Sequence, residues 1–184
     1  ILSASCTMEK NGQVENGYAS RAYRMGYEFL NDDLIEILAN ESVSQTSLMF
    51  EAIKPKGGEM PVVMGAGSSG ILLHEAIGHA FEADFNRKNI SIFSDLLGKK
   101  ICNENINVVD DGTIDNARGA INFDDEGIES QKTYIVRHGI LESYLHDRIS
   151  AKYYNVAPTG NGRRQSFRHI PMPRMRVTYM ESAD

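Results

Sequence analysis

The chain has no tryptophan, and only two cysteines and five prolines among its 184 residues. Cys6 and Cys102 lie far apart and form no spaced motif, so no disulfide framework of the kind that staples small secreted domains is written here. Both read as buried small hydrophobes in a reducing compartment, which places the protein in the cytoplasm. No apolar run approaches the ~20 residues that cross a bilayer. No signal peptide is visible either, because Ile1 opens a polar stretch containing Glu9, Asn11 and Glu15. A basic excess is also missing: 19 Lys and Arg face 25 Asp and Glu, for a net charge of −6. That balance argues against a general nucleic-acid binder, which needs cations to displace counterions. The chain begins without methionine, and its last residues carry no stop or turn signal, so it reads as a truncated fragment of a larger protein.

What is present fits an ordinary globular protein, with 41% hydrophobic and 24% charged residues. Residues 1–28 read as two strands around a polar turn at Lys10-Asn11-Gly12. Residues 31–50 read as a helix capped by Asn31 or Asp32, with Leu34, Ile35, Leu38, Val43 and Leu48 as its apolar stripe. Lys54-Pro55-Lys56-Gly57-Gly58 breaks the pattern. We therefore divide the chain into a 1–53 unit, the end of an α/β domain, and a 54–184 unit. Pro61 to Met64 reads as a short buried strand. A helix then starts at Ser68 or Ser69 and runs to about Asp84–Arg87, burying Leu73, Ile77 and Phe81. From Asn107 onward the period is alternating, with turns expected at Asp110-Asp111-Gly112, Asp124 to Gly127 and His138-Gly139. A short helix is expected from Asp147 to Tyr154, followed by a loop-like tail over residues 158–176. The fold class is α+β: mixed or antiparallel sheets around one central helix.

That helix carries His74-Glu75-Ala76-Ile77-Gly78-His79, an HExxxH pattern. Two imidazoles suit Zn²⁺, and a glutamate beside the first can take a proton from a water that the metal acidifies. The spacing is unusual. Residues five apart sit roughly 140° apart on a regular helix, so both rings reach one ion only if the backbone widens. An i→i+5 π-bulge is the device that does this, and Gly78 is the position where the chain yields most easily. The spacing therefore predicts a distorted turn around Ala76 to His79. A rival set, Glu75, His79 and Glu82, shares one face of an undistorted helix and would suit Mn²⁺ or Fe²⁺. The bland alternative is an exposed polar face holding nothing.

Other patterns compete. Gly65-Ala66-Gly67-Ser68-Ser69-Gly70 fits the dinucleotide fingerprint, but no second parallel strand ending in an acid follows it, and the helix bears His and Glu where it would pack. Tight turning by small residues is the better account. His138 reads as a surface-turn residue and His146 as a helix-start residue. His169 lies near Gly160, Asn161, Gly162, Arg163 and Arg164, a Gly- and Arg-rich loop suited to peptide carbonyls or a carboxylate. Without context that loop is simply a solvated basic loop. Asp110, Asp111, Asp124, Asp125 and Glu126 lack EF-hand spacing and read as acidic hairpin turns.

Three long blocks, GAGSSGILLHEAIGHAFEADFNRK, VVDDGTIDNARGAINFDDEG and APTGNGRRQSFRHIPMPRM, resemble the TldD/PmbA peptidases, on the TldD side. The resemblance covers about residues 57–180. It implies a cytoplasmic zinc metallopeptidase that works as a heterodimer with a PmbA-like partner subunit. Such enzymes degrade unfolded peptides and trim leader or antitoxin peptides. It also implies His74 and His79 as zinc ligands, Glu75 as the base, and the loop with His169 as a wall of the cleft. The family's third ligand is a cysteine in a glycine-rich segment that the chain ends before, and neither Cys6 nor Cys102 matches it. With two ligands, the fragment alone is expected to bind zinc weakly and to be inactive. The competing class is a non-catalytic peptide- or partner-binding module, which the intact HExxxH disfavours.

Overall fold

A computed structural model describes residues 1–67 and 69–181, which separate into two units. The first comprises Ile1–Val62 with Asn116–Arg118, and the second Val63–Asp115 with Gly119–Asp184.

In the first unit, strands β1 (Leu2–Lys10) and β2 (Gln13–Arg21) form an antiparallel hairpin. Its two-residue turn places Asn11 and Gly12 at positive φ, the requirement of a type I′ turn matched to strand twist. Helix α1 (Asp32–Met49) packs on this hairpin. Asn31 caps it, its side chain accepting a hydrogen bond from the Leu34 amide at 2.8 Å. The buried stripe is Leu38, Ser42 and Thr46, not the Val43 and Leu48 expected from the sequence. The reason is close approach. A Cβ at Gly17 of β2 would overlap the Ser42 carbonyl and Thr46, so only small residues fit that face. Thr46 Oγ1 satisfies itself on the Ser42 carbonyl at 2.7 Å. Cys6 is half-buried, as is Cys102 in the second unit, and both are free thiols.

The second unit is built on a four-stranded antiparallel sheet in which residues 140–141, 132–137, 108–111 and 178–180 lie side by side in that order. Its strands are β3 (Val108–Asp111), β4 (Lys132–Arg137), β5 (Ile140–Leu141) and β8 (Thr178–Met180). His138 and Gly139, both at positive φ, turn β4 into β5. A separate pair joins β6 (Gly162–Arg163) to β7 (Met172–Pro173), inside the tail expected to be a loop. Helix α4 (Arg148–Tyr154) is capped by Asp147, which accepts from the Ser150 amide at 2.7 Å.

Pro61 to Met64 forms no strand; it is exposed and unpaired by any described strand. With that strand absent and the sheet antiparallel, the setting of a dinucleotide fingerprint is absent too. Ser68 lies outside the described residues. Ser69 precedes helix α2 (Gly70–Leu73) but makes no capping bond, donating instead to the Gly65 carbonyl.

The expected single helix is four pieces: α2, a π turn (His74–Gly78), a 3₁₀ turn (His79–Phe81) and α3 (Ala83–Arg87). Glu82 between the last two is extended, with φ −69° and ψ 126°. A strand-like pairing imposes that break: the Leu145 amide donates to Phe81 O and the Ala83 amide to Leu145 O, both at 3.0 Å. Leu73 and Phe81 are buried with Val108, Ile135, Leu141 and Leu145, and Ile77 packs against them. The spacing at every fourth residue therefore does mark the inward face. Burying a Phe81-sized side chain is worth about 1.5–3 kcal/mol. This anchoring sets the direction in which His74 and His79 project.

Candidate metal centre and adjoining basic loop

The π turn joins the two histidines directly. The His79 amide donates to the His74 carbonyl, an i→i−5 bond in place of the α-helical i→i−4. The extra residue per turn rotates the second imidazole toward the first. Their ring centroids lie 4.8 Å apart, edge to face at 87°. Gly78 sits in ordinary right-handed helical geometry, φ −56° and ψ −49°, so the widened turn draws on no special glycine conformation. Its lack of a side chain serves packing instead, because a Cβ there would overlap Met175 Sδ.

Glu75 joins the pair. One ligand atom each from His74, Glu75 and His79 lie within 4.8 Å of one another. His74 is half-buried, Glu75 is exposed, and the His79 side chain keeps 44% of its accessible surface. Rotation about exposed side-chain bonds can bring these atoms onto one cation. Two imidazole nitrogens are donors that zinc takes, and a carboxylate beside them suits the base that a zinc-bound water needs, so the residues fit that ion.

The rival set is not assembled. Glu82 is fully buried and lies outside the group of ligand atoms that His74, Glu75 and His79 form, and each of its oxygens is already hydrogen-bonded. Oε1 lies 3.1 Å from His79 Nδ1, and Oε2 accepts from Arg174 Nη1 at 2.8 Å. Burial pushes the Glu82 carboxyl up to about 7, with Arg174 opposing the rise and Asp84 adding to it. From the sequence alone Glu82 enters only as a rival ligand. On a regular helix Glu82 falls on the polar face with Glu75 and His79, away from Leu73, Ile77 and Phe81, so its burial has no local signal and follows from the break in the helix at that residue.

The basic loop divides in two. Gly160, Asn161 and Gly162 are buried, and their polar groups serve the fold. Asn161 Nδ2 donates to Asp110 Oδ2 at 2.7 Å and to the Arg174 carbonyl at 3.0 Å, while its Oδ1 accepts from Thr159. The Gly162 amide donates to Asp124 Oδ2 at 2.9 Å and the Arg164 amide to Asp125 Oδ2 at 2.8 Å. Arg163, Arg164 and His169, with Gln165, Met172 and Arg174, instead line a cavity of about 390 Å³.

The acids read from the sequence as hairpin turns are therefore partly internal. Asp110 and Asp111 lie within β3, and Asp110 and Asp124 are buried. Asp110 Oδ1 accepts from the Arg176 amide and the Thr178 hydroxyl. Burial pushes its carboxyl upward against the pull of these hydrogen bonds. His138 is exposed in its turn. His146 stands at a helix start, as expected, directly before the cap Asp147; it is buried there, packed against Tyr144 and Tyr154, and burial lowers its pKa to about 4.

Residues 57–184 match the family described as the PmbA/TldA metallopeptidase C-terminal domain. The chain belongs to the TldD/PmbA metallopeptidase family. It is 44% identical over 184 residues to a Haemophilus influenzae protein named "Metalloprotease TldD homolog", covering 97% of this chain and 38% of that one. A Saccharolobus solfataricus protein named "Zinc metalloprotease TldD homolog" is 38% identical over 162 residues, or 88% of this chain and 36% of that one. The chain thus spans about two-fifths of the length of the curated relatives it matches. The crystal structure of TldE from Thermococcus kodakarensis shares the fold, with a TM-score of 0.79 at 22% identity over 99% of this chain and 40% of that one. Among the described residues no helix is long and apolar enough to cross a membrane.

Proposed function

We propose that this chain carries the metal-holding part of a TldD-type zinc metallopeptidase, with His74 and His79 as metal ligands and Glu75 as general base. The supporting observation is the π turn, which places two imidazoles and one exposed carboxylate together without any other metal-type cluster among the described residues. Zinc bound there supplies a Lewis acid that polarises a peptide carbonyl and acidifies water.

The chain's own groups divide the remaining work. Glu75, adjacent in sequence to a ligand yet exposed, is placed to accept a proton from water and return it to the leaving amine. His74 and His79 enter neutral, each offering one ring nitrogen. Arg163, Arg164 and His169 line the neighbouring cavity and are proposed to hold substrate carbonyls or a carboxylate, while Gly160, Asn161 and Gly162 fix the loop beneath them. The substrates proposed are unfolded, leader or antitoxin peptides, bound extended and largely through backbone. The working form is a cytoplasmic heterodimer with a PmbA-like subunit, completed by a third ligand outside this chain.

The test is casein cleavage by the full-length protein with and without a PmbA-type partner, alongside zinc analysis. Zinc-dependent cleavage that is lost in Glu75→Gln supports the reading. Cleavage that persists in that variant, or with zinc removed, contradicts it.

A further inference from the structure

Glu82 is fully buried at a break between helices, and each of its oxygens meets a different partner. Arg174 approaches from residues far along the chain, Nη1 donating to Oε2 at 2.8 Å. That guanidinium has no acceptor lone pair, so Glu82 must accept from it. The other oxygen faces His79 Nδ1 at 3.1 Å, and a carboxylate accepting there requires the ring proton on Nδ1. The Nε2 lone pair is then left free on the side away from Glu82.

We propose that Glu82, anchored by Arg174, is the positioning residue of the candidate metal centre: it fixes His79 in its Nδ1–H tautomer and aims Nε2 at the cation. This rests on the metal reading above, but the tautomer itself does not need a metal. Among the cluster's histidines only His79 has this support in the hydrogen bonds of the described residues, so His79 is the oriented ligand and His74 the adaptable one. The arrangement is a carboxylate–histidine–metal relay of the kind that raises ligand basicity.

A substitution that barely changes shape separates this role from simple packing. In Glu82→Gln, Arg174 still demands an acceptor and takes the amide oxygen. The amide NH₂ must then face Nδ1, which becomes an acceptor, and the ring proton moves to Nε2, the atom needed for the metal.

The experiment is ¹⁵N NMR of the His79 ring in the metal-free full-length protein at about pH 8, above the ordinary imidazole range, with zinc affinity measured beside it. Wild type should show the Nδ1–H tautomer, and Glu82→Gln the Nε2–H tautomer, with zinc bound roughly 10- to 100-fold more weakly. An Nε2–H ring in wild type overturns the proposal whether or not the variant folds. An unchanged tautomer in a folded Glu82→Gln protein overturns it as well. An inverted tautomer with unaltered zinc binding keeps the orientation but contradicts His79 as a ligand, and so sinks the metal reading instead.

Discussion

The amide of His79 donates to the carbonyl of His74, five residues earlier, and this one backbone bond lets an HExxxH spacing behave as an HExxH spacing does on a regular helix. The side-chain chemistry follows from the backbone. With the turn widened, two imidazoles stand 4.8 Å apart instead of pointing to different faces.

Gly78 should be sensitive for a packing reason. Gly78→Ala drives a Cβ into Met175 Sδ inside the core, and overpacking of that kind costs about 1–3 kcal/mol. Denaturant unfolding should show this loss, and Gly78→Ala should cost less in a Met175→Ala background than in the wild-type chain, because the clashing sulfur is gone. A fully tolerated Gly78→Ala would place the glycine's role elsewhere.

Asn161 should act on stability. Its side chain bridges buried Asp110, Thr159 and the Arg174 carbonyl. Asn161→Leu strands a buried carboxylate oxygen, an unpaired-charge penalty of about 2–4 kcal/mol. Thermal unfolding checks this. An unchanged midpoint with impaired peptide binding would instead favour direct substrate contact.

His146 sets a pH window. It is held neutral by burial, with its pKa lowered to about 4 and Asp147 pulling the other way. Because the unfolded chain binds that proton near pH 6.5 and the folded one only near 4, stability is fully present above about 6.5 and falls as pH drops through the window. The loss from this group alone is about 3 kcal/mol at most. Raised carboxyls such as Glu82 and Asp110 act in the opposite sense, so the difference between wild type and His146→Gln is the quantity to follow. That gap in unfolding free energy should be widest at neutral pH and shrink towards pH 4. A pH-independent gap would contradict a buried neutral imidazole.

Local signals carried much of the fold. Asn11-Gly12 and His138-Gly139 marked turns because their positive φ values suit few other residues, and Asn31 and Asp147 marked helix starts because each can cap. The π turn was legible from a spacing that no regular helix could reconcile with a shared ion. What stayed hidden depends on distant partners. Glu82 breaks the helix because Leu145 pairs beside it and Arg174, 92 residues away, claims its carboxylate. Asp110 looked like a surface turn because its partners, Asn161 and Thr178, lie 51 and 68 residues on. The buried face of α1 departs from its apolar periodicity because Gly17 on β2 admits only small side chains.

Glu75→Gln separates base from ligand. Removing a general base typically costs about 10²–10⁴ in turnover. Zinc stoichiometry should stay unchanged, because the two imidazoles remain. If the variant loses zinc along with activity, Glu75 is a ligand and the division of roles proposed for the cluster is wrong.

The most direct test is the anomalous-diffraction map of the zinc-loaded full-length protein. The account predicts one zinc peak with a ring nitrogen of His74 and Nε2 of His79 both at about 2.0–2.1 Å. A peak that leaves either imidazole outside coordination distance would contradict it.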